Sequence, residues 1–431
     1  MSEITANDKV AQSWSRPTFG KVEERFVRWL RVDEISGDIA LQWMAGAILL
    51  GFLITYNVWW GPFAGFGRDS VANGSHVCWP FFVTCEKLIW LTATPHGYSQ
   101  ATLFMGLFGI MAGCAYLMYK RDWAGVHVCL LVLFLFKLYF TLISVRTRGN
   151  FDYYHTTFCF LYLFAQDKKF FLRLSVVFLY FLSTVSKIHP SWVLGGYFAP
   201  MKLGLPIFPR GTELIMQNLV VAMEMVGAWF LLSGNKLLQR AVFIFFVTFH
   251  IYSGILVGYR YPATVLPPLL ILFGPWFAPI RKIPLSQGSL VGWSFLLLLF
   301  IFQMIPVAIE GDEKLTMEGN FYGLYMFEAN HQCFGSFDRN GKVIKEFSSG
   351  NARIRCDIYD YWTRAKNVYC KNGEDKIGMV FNHSINGGPF REVVREQNIC
   401  LLSYNAFSHN DWIKTEKTAP YVGRPLQNVM H

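Results

Sequence analysis

The sequence predicts a polytopic all-α membrane protein of about nine transmembrane helices, followed by a small extracytoplasmic α+β domain. Three observations carry this. The chain is 53% hydrophobic and only 16% charged, whereas soluble domains carry about 25% charged residues. Apolar runs long enough to cross a bilayer recur up to Ile309. Beyond that point the pattern changes to alternating runs, one amphipathic stretch and clustered cysteines.

The first 40 residues are polar and contain no apolar h-region, so no cleavable signal peptide is expected. In "VEERFVRWLRV", Phe26, Trp29 and Leu30 fall on one predicted helical face opposite charges. Such a segment lies on the cytoplasmic membrane surface or packs against protein. The bilayer region, 41–309, is expected to contain spans at Leu41–Trp60, Ser99–Tyr119, Trp123–Val145, Phe151–Ala165, Phe170–Lys187, Leu214–Ser233, Leu238–Tyr259, Ala263–Pro279 and Ser289–Ile309. The fourth is short enough to be re-entrant or to end in a water-filled cavity.

Charge gives an orientation. Residues 310–431 hold equal numbers of basic and acidic side chains, so the excess of +10 lies entirely before them. A nucleic-acid-binding domain would need its own basic face, and none is found. With the N-terminus cytoplasmic, the inner segments carry 15 Lys and Arg against 7 in the longer outer loops. The expected topology is N-in, C-out. Cysteine agrees with it. Cys114, Cys129 and Cys159 lie inside spans, while Cys78, Cys85, Cys333, Cys356, Cys370 and Cys400 all fall on the outer side, where disulfides are expected. Spacing alone does not fix their pairing.

The tail, 310–431, reads as one domain. "CFGSFDRNGKVIKEF" is a hairpin around Asn340-Gly341, and "KIGMVFNHSINGGPFREVV" is a second one around Asn386-Gly387-Gly388. "RCDIYDYWTRAKNVYC" has helical spacing, with Ile358, Trp362 and Tyr369 near one face.

Motifs for zinc proteases, serine hydrolases, nucleotide loops and dinucleotides are absent, and the histidines show no metal-ligand spacing, so no metal is expected. Function is therefore sought among polar residues at membrane depth, which are costly there and often functional. Lys187 closes the apolar run "RLSVVFLYFLSTVSK". It either snorkels to the headgroups beside Trp192 in the aromatic belt, or sits in an apolar pocket as a base. Glu224 is mid-span with a side chain too short to snorkel, and is expected to pair with a lysine or histidine or to stay protonated. Lys137 is a candidate partner for it. His250, also mid-span, is a second catalytic candidate or an interhelical hydrogen-bonding group. Asp152 and His155 begin the fourth span, where Asn150 or Asp152 could also cap the helix.

The short polar "GNFDYYHTTFCFLYLFA", then "LRLSVVFLYFLSTVSKIHPSWVLGG", an acidic residue in the next span and "FFVTFH" beyond it resemble the HTTM superfamily. That superfamily contains the membrane domain of vitamin K-dependent gamma-carboxylases and their bacterial relatives. The resemblance covers roughly Ile35 to Ile309, and the tail looks like the small C-terminal domain of bacterial members. It implies an HTTM-like bundle in a bacterial inner membrane. It also implies reduced vitamin K or another quinol as cofactor, and a secreted peptide or protein as substrate. In the carboxylase reaction a neutral lysine deprotonates the quinol, oxygen adds, and the strong base so formed removes a γ-proton from glutamate before carbon dioxide traps the carbanion. The resemblance assigns the lysine to Lys187, with His250 and Glu224 at the matching histidine and acidic positions. The sequence departs from the carboxylases at Ser186, where they carry a second lysine, at Asp152, where they carry histidine, and at Ser253, where they carry asparagine. Their large lumenal domain is also replaced by the short tail. The expected function is a membrane enzyme of lyase or oxidase type that uses a quinol-like lipid to modify an exported peptide. The alternative is a non-catalytic membrane factor that helps a secreted partner mature. A transporter is disfavoured because the sequence lacks repeat symmetry and paired broken helices.

Overall fold

Helices form at every one of the nine apolar stretches because each combines predominantly apolar side chains with a backbone that satisfies its own hydrogen bonds. The computed structural model describes residues 27–66, 74, 76–88, 98–143, 145, 149–198, 205–209, 211–275, 283–325, 329–349, 356–370 and 376–415. A short helix α1 (Val32–Gly37) leads into α2 (Ile39–Phe66), then α3 (Tyr98–Tyr119), α4 (Trp123–Ile143), α5 (Asn150–Phe164) and α6 (Lys168–Val185). One turn, α7 (Pro190–Val193), precedes α8 (Glu213–Met225), α9 (Lys236–Val257), α10 (Arg260–Phe273) and α11 (Leu290–Ala308). Among the described residues, four helical stretches are long and apolar enough to cross a membrane: Thr102–Tyr119, Trp123–Ile143, Lys236–Leu256 and Gln287–Ala308.

At the N-terminal end, Phe26 lies outside the described residues. Leu30 is buried in the bundle while Trp29 is largely exposed, so these two do not share the face their spacing predicts. The nearby Glu34 reaches across to the start of α6, where its carboxylate accepts from the Asp167 and Lys168 backbone N–H groups at 3.1 and 2.9 Å. An anion at a helix N-terminus satisfies orphan donors and the helix dipole together.

Helix α6 is the hub. It packs on α5, α8, α10 and α11, and Phe171, Leu172, Val176, Val177, Leu179, Tyr180 and Leu182 are all fully buried. Between helices in lipid, close packing and polar contacts hold the bundle because apolar side chains gain little by leaving apolar lipid. Its buried Arg173 accordingly donates to the Leu272 carbonyl at 2.9 Å. The sixth apolar stretch is not one continuous α-helix. α8 ends at Met225 and Gly227–Leu232 continues as 3-10 helix, which leaves Glu224 in the last α-helical turn.

The tail begins with α12 (Glu313–Thr316) and builds a four-stranded antiparallel sheet in the order β2-β1-β3-β4. The strands are β1 (His331–Arg339), β2 (Lys342–Ser348), β3 (Ile377–Ile385) and β4 (Arg391–Glu396), with α13 (Ile358–Tyr369) inserted between β2 and β3. Both hairpins turn where the sequence predicts. Asn340 and Gly341 have φ of 52° and 81°, and Asn386 and Gly387 have 53° and 74°, the left-handed pair that matches strand twist. Ile358 and Trp362 are buried against the sheet with Phe337, Met379 and Phe381. The six cysteines expected on the outer side are paired, as Cys78–Cys85, Cys333–Cys356 and Cys370–Cys400. Cys114, Cys129 and Cys159 are free within the helices.

Candidate functional site

Lys187 lies two residues beyond the end of α6, where the chain tightens into a turn closed by its own N–H on the Thr184 carbonyl at 2.8 Å. It is 3% exposed, so it does not snorkel. Its Nζ donates to Glu224 Oε2 at 2.5 Å. Thr184 Oγ1, one turn earlier on α6, donates to the same oxygen at 2.8 Å. Glu224 is fully buried, and its second oxygen, Oε1, has no hydrogen-bond partner. Trp192 is likewise buried, its ring tilted against that of Tyr197 at 4.2 Å; it packs inside the protein rather than in a headgroup belt.

A second buried pair continues this cluster. Tyr180, one turn before Thr184, places its hydroxyl 2.5 Å from His250 Nε2 on α9. The His250 ring meets Tyr261 of α10 at 5.3 Å, and Tyr261 meets Tyr154 of α5 at 5.5 Å. His250 is within electrostatic reach of Lys187, and Tyr154, Tyr180 and Tyr261 are within reach of Glu224. The site is thus built from α5, α6, α8, α9 and α10. Tyr180, Thr184 and Lys187 share one face because helical spacing of four and seven residues returns to the same side. The tyrosines and Thr184 are not apparent from searching for charges at depth. The recurrence of hydroxyls at helical spacing before Lys187 is the signal that would have found Tyr180 and Thr184.

Lys137 is not the partner of Glu224. It lies in a separate cluster, with Nζ 2.8 Å from Asp152 Oδ1 and 2.8 Å from His155 Nδ1. The contact with Asp152 is an ion pair without the alignment of a hydrogen bond. The other Asp152 oxygen caps α5 by accepting from Gly149 N at 3.0 Å, so capping and pairing are done by one side chain. His155 Nε2 donates to the Ile48 carbonyl at 2.8 Å, which leaves Nδ1 to accept from Lys137. Gly51 makes room for this ring: a Cβ there would lie 2.3 Å from His155 Cδ2. α5 therefore separates two polar clusters, with Tyr154 directed to the first and Asp152 and His155 to the second.

An apolar groove of about 630 Å³ lies between the first half of α6, the 3-10 segment and α11, lined by Phe170, Leu174, Phe178, Trp229, Trp293 and Phe300 among others. Neither Lys187 nor Glu224 is among the residues that line it.

No family model matches the chain, and no curated protein or solved structure is recognisably similar to it.

Proposed function

We propose that the chain is an HTTM-type integral membrane enzyme that uses Lys187 as a base on a quinol-like lipid, and through it modifies an exported peptide or protein. The observation that carries this reading is the buried Lys187–Glu224 contact beside Tyr180 and His250. A lysine can act as a base only when neutral. In dry surroundings, passing its proton to a touching carboxylate cancels two charges that are expensive to hold there. Glu224 is thus the proton acceptor that frees the amine, and Thr184 fixes the carboxylate. Two buried atoms of the cluster without a hydrogen-bond partner, Glu224 Oε1 and His250 Nδ1, are the donor and acceptor set that a quinol hydroxyl would complete. Lys187 and Glu224 would hold it, and when bound it would supply the reducing equivalents. The apolar groove does not reach this point, so the reading rests on the polar residues.

The same reading places nine crossings in a bacterial inner membrane, with the N-terminus cytoplasmic and the disulfide-bonded domain outside. The positive charge of the inner segments supports that orientation, as does the confinement of paired cysteines to one side. The test is quinol turnover by the detergent-purified chain. Lys187→Ala is expected to abolish it while the protein stays monodisperse and folded. Turnover that survives the substitution would overturn the reading.

One observation favours the second reading, a non-catalytic factor that assists maturation of a secreted partner. The Lys137–Asp152–His155 cluster shows that this bundle also uses buried charges as helix-to-helix glue. In that case Lys187→Met combined with Glu224→Leu would leave maturation of the partner intact.

A further inference from the structure

The segment His76–Leu88 stands apart from both polar clusters. It is wedged between the end of α4 and helix α13 of the outer domain. Trp79 Nε1 donates to the Thr141 carbonyl at 2.6 Å, and Tyr139 OH to the Leu88 carbonyl at 2.6 Å. From the other side, Tyr359 OH donates to the Cys78 carbonyl at 2.9 Å, and Asn367 Nδ2 to the His76 carbonyl at 3.0 Å. The backbone around His76, Cys78 and Cys85 is therefore held from two directions, and all three side chains are buried.

Their ligating atoms lie within 4.8 Å of one another. His76 Nε2 is 3.1 Å from Cys85 Sγ, and Glu86 Oε2 is 3.2 Å from Cys78 Sγ. A disulfide needs neither neighbour, and the Cys333 sulfur, by contrast, faces the Tyr361 hydroxyl at 3.8 Å. One imidazole nitrogen and two sulfurs form a three-ligand set for zinc, and the Glu86 carboxylate, which touches Cys78 Sγ alone, is the nearby group that would swing in as the fourth. Bonds of about 2.0–2.3 Å place tetrahedral neighbours roughly 3.3–3.8 Å apart. The His76–Cys85 and Glu86–Cys78 separations are already close to that; the bonded sulfurs must part and the Glu86 oxygen must close on the other two ligands.

We propose that the Cys78–Cys85 disulfide is the oxidised state of a redox-gated site for a zinc-class cation, held by His76, Cys78, Cys85 and Glu86. A dithiol reductant delivers two electrons and two protons: the S–S bond breaks, two thiols form, and the reductant leaves as its own disulfide. Metal capture then releases those two protons and leaves two thiolates on the cation. Exchange with a disulfide oxidant runs the step backwards: the incoming disulfide takes two electrons from the sulfurs and two protons from water and leaves as a dithiol, the Cys78–Cys85 bond re-forms, and the cation is released because bonded sulfurs no longer carry the charge that held it. The segment joins α4 to α13, so the state of the site sets how the outer domain is tied to the bundle.

The test uses the full chain in detergent, reduced with a phosphine that does not chelate metal and titrated with Co²⁺ as the spectroscopic probe. The reduced protein is expected to bind Co²⁺ with thiolate charge-transfer absorption and tetrahedral d–d bands, and the oxidised protein to show neither. His76→Ala keeps every cysteine, including the two outer-domain pairs that reduction also opens. It is expected to weaken binding at least roughly tenfold, since even residues that only support metal ligands cost about 10–100-fold. Failure of the reduced protein to bind, or binding undiminished in His76→Ala, overturns the proposal. Should His76→Ala not accumulate, Glu86→Gln is expected to weaken Co²⁺ binding by a similar factor, and unchanged binding overturns the four-ligand site.

Discussion

Lys187 Nζ and Glu224 Oε2 lie 2.5 Å apart where neither side chain is more than 4% exposed, joining the end of α6 to the last turn of α8. A buried pair of this kind is costly to break and cheap to replace whole. Lys187→Met or Glu224→Leu alone is expected to cost about 3–5 kcal/mol, because each leaves a buried ionisable group without its partner. The double variant is expected to recover most of that loss. Thermal unfolding of the four proteins in one detergent checks this, and a double variant no better than the worse single one would contradict it.

Gly51 faces the His155 ring so closely that an added methyl would sit 2.3 Å from Cδ2. His155 is held on its other sides by Lys137 Nζ, the Ile48 carbonyl and the edge-on ring of Phe52 at 4.4 Å. It therefore has nowhere to retreat. Gly51→Ala is expected to destabilise the bundle by about 1–3 kcal/mol, the usual cost of overpacking, and to disturb the Lys137–Asp152 pair. Gly46, on the same helix with open space at its Cβ position, serves as the control: Gly46→Ala is expected to be neutral or slightly stabilising.

What the sequence shows and what it hides divide along physical lines. Hairpins at Asn340-Gly341 and Asn386-Gly387 are legible because left-handed turns select those residues locally. The apolar runs are legible because only helices and closed barrels satisfy their backbone in lipid. Partner choice is not local. Lys137 and Lys187 both offered an ammonium to Glu224, and what decides between them is which face of α4 and α6 meets α8, a property of packing. Asp152 could be read as a pocket residue or as a helix cap, and in the fold it both caps α5 and pairs with Lys137. The break after Met225 was hidden because "MVGAWFLL" is apolar in either helix type.

Cys333–Cys356 ties β1 to the residue just before α13, and Cys370–Cys400 ties the end of α13 to the turn Ile399–Leu401. The helix is therefore clamped at both ends onto the sheet. Replacing either pair by serine is expected to cost the C-terminal domain about 2–4 kcal/mol, chiefly by freeing the unfolded chain. Hydrogen exchange resolved by region checks this. Protection should fall in α13 and in the strands beside it, while α4 and α6 keep theirs.

His383 in β3 is fully buried. Its Nδ1 donates to the Leu315 carbonyl at 2.6 Å, and its Nε2 faces His331 Nδ1 at 3.0 Å. Burial, reinforced by His331, pushes its pKa from 6.5 down to about 3, against the raising influence of that carbonyl and of Asp312. The unfolded chain takes up this proton below about pH 6.5, whereas the folded domain refuses it until about pH 3. A depressed folded pKa means that the contribution to stability is complete above pH 6.5 and declines as the pH falls through the window between the two values. Roughly 2 kcal/mol should be lost between pH 6.5 and pH 5 from this side chain, at about 1.4 kcal/mol per pH unit. Chemical unfolding of the C-terminal domain followed across that interval checks the slope. His383→Gln, whose amide does not titrate, is expected to lower stability at pH 7.5 and to flatten the acid limb. An acid limb of unchanged steepness in that variant would assign the loss to other groups.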